Sequence, residues 1–199
     1  MFKVYFITFG CKVNHYETEC MKSLFRERGA EILPKQDGAD AVVINSCTVT
    51  SSGDSRVLTA LRKARAALPD AVIALTGCYP QANPHEAALL TDADIIAGTK
   101  DRAHIPELVE QCINDRKRIV ELSEYSAHEP FEPLKCSRFD DNTRAFVKIQ
   151  DGCNQFCSYC MIPFARGRCR SKPIELVKQE IAEIAANGKK EIVLTGINL

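Results

Sequence analysis

Apolar residues follow two rhythms along this chain, and the rhythms alternate. Lys3-Val4-Tyr5-Phe6-Ile7-Thr8-Phe9 is strand-like. Met21, Leu24, Phe25 and Arg28 then share one side of a helical stretch that ends at Gly29. Ala41-Val42-Val43-Ile44-Asn45-Ser46 is a short apolar run, as in a strand buried on both faces. A helix from about Asp54 to Leu68 carries the stripe Val57, Leu61, Ala64 and Leu68, and Pro69-Asp70 stops it. Val72–Thr76 reads as the next buried strand. Ala88-Leu89-Leu90 falls in a short helix, Asp94–Ala97 reads as a strand, and Ile105, Leu108, Val109 and Cys112 mark a further helix. Alternating strands and helices with unbroken apolar strands predict an α/β domain over residues 1–122, a parallel sheet covered on both faces.

Both rhythms lapse over residues 123–142, where Pro130, Pro133 and polar residues dominate. This stretch is expected to be a linker, with a strand near its middle. Arg144–Gln150 is again strand-like. Ser171-Lys172-Pro173 starts a helix whose Ile174, Val177, Ile181 and Ile184 face one way, Gly188 ends it, and Glu191–Thr195 is another buried strand. Residues 143–199 thus supply one strand–helix–strand unit, too little to close a core. They are expected to be the truncated start of a second domain. The alternative is that these strands extend the first sheet.

Composition changes the picture at one point. Charged residues are 26% and apolar residues 45%, ordinary for a globular chain, but 10 of 199 residues are Cys. Met1–Phe9 meets no small-residue cleavage site, and no apolar stretch approaches the roughly 18–20 residues that span a bilayer. A cytoplasmic protein with no membrane partner is expected, and there cysteines serve metals or redox chemistry more often than disulfides. Formal neutrality, 26 basic against 26 acidic, hides a division. Residues 1–140 carry 17 basic and 20 acidic groups, and residues 141–199 carry 9 and 6. Arg166, Arg168, Arg170 and Lys172 have no acidic residue between them.

Cys153-x-x-x-Cys157-x-x-Cys160 puts three thiolates in one loop after a strand. Three thiolates can hold three irons of a four-iron, four-sulfur (4Fe-4S) cube, leaving the fourth open to an outside ligand. The spacing is not that of bacterial ferredoxins. A zinc loop is the alternative, but it needs a fourth ligand: no His lies in the loop, and Cys169 is nine residues beyond Cys160. Cys11, Cys47 and Cys78 each follow a predicted strand, so a parallel sheet places all three at its carboxyl edge, where open α/β sheets hold ligands. A second three-cysteine site is expected there, with Gly10 and Gly77 letting backbone approach a bulky cluster. The alternative is three buried core cysteines.

The loop, with Tyr159 before its third Cys, resembles the radical S-adenosylmethionine signature. The stretch Val147-Lys148-Ile149-Gln150-Asp151-Gly152-Cys153-Asn154-Gln155-Phe156-Cys157-Ser158-Tyr159-Cys160, followed by Ile162-Pro163-Phe164-Ala165-Arg166-Gly167-Arg168, resembles the methylthiotransferases. Phe9-Gly10-Cys11-Lys12-Val13-Asn14, Asn45-Ser46-Cys47-Thr48-Val49-Thr50 and Thr76-Gly77-Cys78-Tyr79-Pro80-Gln81 resemble the amino-terminal domain of the same family. The resemblance implies a start of a partial (β/α) barrel after the first domain, two 4Fe-4S clusters and S-adenosyl-L-methionine. In the family, the amino and carboxyl groups of S-adenosylmethionine bind the open iron. Cluster reduction then yields a 5′-deoxyadenosyl radical, and the cluster on the other three cysteines carries or relays sulfur. It implies Tyr159 near the adenine, though a lone aromatic also serves loop packing.

Gly10-Cys11-Lys12-Val13-Asn14 looks most like the branch that converts N6-threonylcarbamoyladenosine at position 37 of tRNA to its 2-methylthio form. The other branches act on isopentenyladenosine in tRNA or on an aspartate of a ribosomal protein. Radical chemistry suits C–H to C–S–CH3 conversion, which no acid–base residue achieves alone. The implied partners are tRNA and a low-potential electron donor such as flavodoxin or ferredoxin. For Arg166, Arg168, Arg170 and Lys172 three readings stand: phosphate or substrate contact, a solvated surface run, or contact with the S-adenosylmethionine carboxylate or cluster sulfides. Arg56 and Lys12 are expected near the shared cavity. Cys20, Cys112, Cys136 and Cys169 receive no chemical role, and the four histidines show no metal spacing. A metal-cluster module that binds RNA is the non-enzyme alternative. The 199-residue chain is not expected to turn over by itself.

Overall fold

The computed structural model describes residues 1–48, 51–100, 102–136, 138–139 and 144–199. Val49 and Thr50 of the second cysteine motif, and Asn142 at the end of the expected linker, lie outside them.

In chain order the first unit runs β1 (Lys3–Thr8), α1 (Lys12–Glu27), β2 (Glu31–Ile32), β3 (Ala41–Ser46), α2 (Ser51–Ala67), β4 (Val72–Gly77), α3 (Cys78–Ala82), α4 (Pro84–Ala88) and β5 (Ile95–Ala97). A 3-10 turn over Arg102–His104, α5 (Ile105–Asp115) and β6 (Ile119–Glu121) complete it. Six strands pair in parallel in the order β2-β1-β3-β4-β5-β6. Every residue of β3 and β4 is buried, which is why these strands read as continuous apolar runs. Met21 and Phe25 of α1, with Ile105, Leu108 and Val109 of α5, cover one face. Val57, Leu61 and Ala64 of α2, with Tyr79 and Ala87, cover the other. The short edge strands β2 and β6 escape the sequence pattern because two or three residues show no period. The helix at Ala88 ends there, so Leu89 is exposed just beyond it.

The second unit holds β7 (Ala145–Lys148), β8 (Gln150–Asp151), α6 (Ile162–Arg166), β9 (Arg170–Ser171), α7 (Ile174–Ala186) and β10 (Ile192–Thr195). β10 pairs in parallel with β7 as a sheet of its own, so these strands do not extend the first sheet. β8 pairs antiparallel with β9. Ile174 is exposed, against its place in the predicted stripe: it is the first helical residue and sits beyond the core that Val177 and Ile184 enter.

The expected linker does not behave as a spacer. Its described residues form no strand, yet Leu134, Cys136 and Phe139 are buried. They join Tyr16 and Cys20 of α1, Ala145 and Val147 of β7, and Val177 and Ile184 of α7 in a third core. Helix α1 is therefore buried on two sides, by the sheet and by the second unit. No helix among the described residues is long and apolar enough to cross a membrane.

Phe25 anchors the first of these sides, with its ring edge-on to Phe6 at 5.6 Å and Phe2 at 6.1 Å. Phe25→Ala is expected to cost about 3–5 kcal/mol through the cavity it leaves. Chemical denaturation monitored by circular dichroism measures this.

Candidate functional site

The chain order places β1 beside β3 with β2 on the outside, so the connections diverge between β1 and β3. A crevice at such a switch point is where open α/β sheets bind ligands. Cys11 lies in the loop after β1 and Cys47 in the loop after β3, on either side of that crevice. Ser46 and Gly77 are register partners, so Cys47 and Cys78 leave adjacent strands at the same level. Gly10 has φ +104°, and a Cβ there would meet Cys47 Cβ at 2.7 Å and Cys47 Sγ at 2.9 Å. Gly77 has φ +100°, and its Cβ would meet the Ser46 carbonyl oxygen at 2.5 Å. A side chain at either glycine would collide with the neighbouring strand end, so both let the cysteine-bearing segments lie close together. Burial pushes the Cys78 thiol up to about 11, with Arg166 opposing the shift and Glu17 and Cys47 adding to it.

The second cysteine loop is held at its two ends. Gly152, at φ +72°, sits where a Cβ would lie 2.1 Å from the Arg168 carbonyl oxygen. The Cys153 amide donates to Gly167 O at 3.1 Å, and the Cys160 amide donates to Cys157 O at 2.9 Å. Phe156 takes the left-handed conformation, φ 45°, and its ring meets Phe164 edge-on at 6.0 Å. Cys157 is exposed, Cys153 and Cys160 are half-buried, and Tyr159 is 87% exposed. Among the described residues no three His, Cys, Asp or Glu side chains stand together as a site for a single metal ion. A 4Fe-4S cube is larger than an ion, and the donor chemistry of each set, three free thiols in loops whose backbone is shaped by glycine, fits one.

What joins the two cysteine regions is a buried ion network that the sequence did not disclose. Glu17, fully buried on α1, accepts from Lys148 Nζ at 2.9 Å and from Arg166 Nη1 and Nη2 at 2.9 and 3.1 Å. Arg102 Nη2 lies 3.2 Å from its other side. Asp151 accepts from Lys148 at 3.1 Å, from Arg166 at 3.1 Å and from the Gly152 amide at 2.9 Å. Arg102 also donates to Glu132 at 2.8 Å, tying in the segment between the units. Burial alone would raise Glu17, but Arg102, Arg166 and Lys148 outweigh it and hold the carboxyl at about 2. Asp151 is likewise held well below the carboxylate range, by Lys148 and Arg166 against its burial.

These positions correct the reading of the basic stretch. Arg166 is 1% exposed and engaged with Glu17, Asp151 and Asn14. Lys172 is buried in an ion pair with Glu180, near Tyr16. Neither can meet a phosphate or solvent, because each neutralises a buried carboxylate. Arg170 is half-buried, 4.7 Å above the Tyr125 ring and 3.6 Å from Asp151. Arg168 alone of the four is exposed, with its guanidinium 5.8 Å from the Phe156 ring. Arg56 is exposed with its guanidinium 5.8 Å from the ring of Phe9, and Lys12 is exposed beside Cys11.

The remaining cysteines separate. Cys20 and Cys136 are buried in the third core, the Cys136 thiol donating to Arg138 O at 2.9 Å, and Cys112 is buried on α5 against the sheet. Cys169 is exposed, its amide donating to Asn154 and its sulfur accepting from Gln150 Nε2 at 3.3 Å. One signal for Glu17 was available: it sits among Val13, Tyr16 and Cys20 on an otherwise apolar helix face, where an acid requires a buried cation.

Comparison with known proteins agrees with this layout. Residues 3–98 match the uncharacterized protein family UPF0004, and residues 147–198 match the radical SAM superfamily. The latter match implies S-adenosylmethionine and a 4Fe-4S cluster for that segment. The chain is 44% identical over 198 residues to the threonylcarbamoyladenosine tRNA methylthiotransferase MtaB of Bacillus subtilis (strain 168), covering 100% of this chain and 44% of the relative. It is 36% identical over 197 residues to MtaB of Aquifex aeolicus (strain VF5), covering 99% and 48%. It is 35% identical over 204 residues to the tRNA-2-methylthio-N(6)-dimethylallyladenosine synthase of Natranaerobius thermophilus, covering 99% and 45%. The chain therefore spans less than half the length of these curated relatives.

The depressed Glu17 carboxyl makes stability acid-sensitive. Its contribution is complete above the unfolded value of about 4.5 and is lost as pH falls through about 2. Unfolding free energy measured against pH is expected to fall across that window, and more shallowly in Glu17→Gln.

Proposed function

We propose that this chain, which belongs to the radical S-adenosylmethionine methylthiotransferase family, is the amino-terminal part of a tRNA-modifying enzyme. The full-length protein converts N6-threonylcarbamoyladenosine next to the tRNA anticodon to its 2-methylthio derivative. One observation carries this reading: two three-cysteine sets, one after strands β1, β3 and β4 and one in the single loop from Cys153 to Cys160, flank one buried network of ion pairs.

In this reading residues 1–122 form the auxiliary-cluster domain, 123–142 connect it, and 143–199 open the radical domain. Cys153, Cys157 and Cys160 hold one 4Fe-4S cluster, and Cys11, Cys47 and Cys78 hold the second. When bound, the first cluster supplies the electron that cleaves S-adenosylmethionine, and the second supplies or relays the sulfur. Gly152 and the left-handed Phe156 shape the loop that presents the first set. Tyr159, exposed between Cys157 and Cys160, would stack on the adenine. Arg168, propped on Phe156 with no ion-pair partner among the described residues, is the cation left for a tRNA phosphate. Glu17 and Arg166 keep the two loops at one separation by closing the buried interface between them. The electron comes from a low-potential donor of the flavodoxin or ferredoxin type, and the cytoplasm is where tRNA would be met.

Cells lacking the full gene are expected to accumulate threonylcarbamoyladenosine without its methylthio form, read by mass analysis of tRNA nucleosides. Loss of the methylthio group from isopentenyladenosine instead would transfer the protein to that branch. In the purified full-length enzyme, Cys157→Ala is expected to abolish reductive cleavage of S-adenosylmethionine, and undiminished cleavage would remove Cys157 from its assigned role.

A further inference from the structure

We infer that Arg166 is a positioning residue for the other cysteine set: its buried guanidinium supplies fixed positive charge to the cluster that Cys11, Cys47 and Cys78 would hold. This inference rests on the two-cluster reading above. Arg166 follows Cys160 by six residues, so the sequence assigns it to the radical loop. The fold turns it the other way. Helix α6 packs against α3, the helix that Cys78 opens. Arg166 Nη2 donates to Asn14 Oδ1 at 2.9 Å, and the Cys11 thiol donates to that same oxygen at 3.5 Å. Asn14 Nδ2 donates to Ser46 O at 2.8 Å, immediately before Cys47. One amide thus links Arg166 to two of the three cysteine segments, those of Cys11 and Cys47, and the packing of α6 on α3 supplies the third.

The charge cannot swing away. Both terminal nitrogens are forked onto Glu17, and Asp151 holds Nη1 from the side. A planar guanidinium can serve these partners together where a point charge cannot. Charge and hydrogen bonding around the ligands set the potential of such a cluster. A cation beside it favours the more negative, reduced state, and an anion disfavours it.

The test uses the full-length protein with Cys153, Cys157 and Cys160 replaced by Ala, reconstituted anaerobically with iron and sulfide. The remaining cluster is titrated electrochemically and read by electron paramagnetic resonance. Arg166→Gln is expected to lower its midpoint by about tenfold in the reduction equilibrium, 59 mV for one electron. Arg166→Lys is expected to restore part of that shift. Glu17→Gln, which breaks the same network, is expected to move the midpoint the opposite way. Packing damage alone would move both variants in one direction, so equal-signed shifts, or none, overturn the inference. If Arg166→Gln does not take up iron, the sign of the Glu17→Gln shift decides alone. A triple-Ala protein that binds no iron overturns the two-cluster reading itself, and this inference with it. Bound iron with unmoved midpoints overturns this inference only.

Discussion

One carboxylate holds the molecule together. Glu17 is fully buried and shared by Arg102, Lys148 and Arg166, which come from three separate stretches of chain. Each charge taken from water carries a desolvation cost of several kcal/mol, which mutual attraction offsets only when geometry is good and the remaining donors are satisfied. Glu17, Asp151 and Glu132 against Arg102, Lys148 and Arg166 give three acids for three bases, with Arg170 at the rim. Such a network adds little net stability over an apolar core of the same shape. It does penalise every other arrangement of the two units, because a shift of either would strand a buried charge.

The helix that carries Glu17 explains how one network reaches so far. Its Met21 and Phe25 face the sheet, and its Tyr16 and Cys20 face the third core. A second polar cluster lies along the same outward face. Tyr16 Oη stands 2.8 Å from both Leu134 O and Glu180 Oε1, and Glu180 also pairs with Lys172 and accepts from the Cys136 amide. Burial raises the Tyr16 hydroxyl far above its ordinary value, with Cys20 and Glu180 adding to the shift, so it stays protonated. The two units therefore meet through apolar packing pinned at two polar points. These points fix rotation as well as distance.

Much of this was legible in the residues. The apolar runs at Ala41–Ser46 and Val72–Thr76 are strands at nearly those bounds, and the cysteines after them fall at one sheet edge because parallel strands end together. The basic stretch was not legible. Four cations without an intervening acid look solvated in one dimension, because the acids that bury Arg166, Glu17 and Asp151, are contributed from 149 and 15 positions away and Lys172 finds its own in Glu180 of the following helix. Nor was the 123–142 segment: its burial rests on Leu134, Cys136 and Phe139, three residues with no regular spacing. Periodicity reports elements and is silent about irregular chain that packs. The glycines before Cys11 and Cys78 are legible as close backbone approaches, and the structure adds that Cys47 and the Ser46 carbonyl are among what they approach.

The doubly buried helix also has a history during synthesis. Its inner face can dock as soon as β3 and α5 exist, but its outer face waits for β7 and α7, which are made much later. At roughly 5–20 residues per second, the interval is on the order of ten seconds. Through that time Tyr16, Cys20 and Leu24 form an uncovered apolar strip, and Glu17 at its centre has Arg102 but neither Lys148 nor Arg166. This incompletely paired carboxylate keeps the strip hydrated and discourages it from sticking to another apolar surface. Glu17 thus acts as a gatekeeper against aggregation on the nascent chain before it becomes a clamp in the finished one.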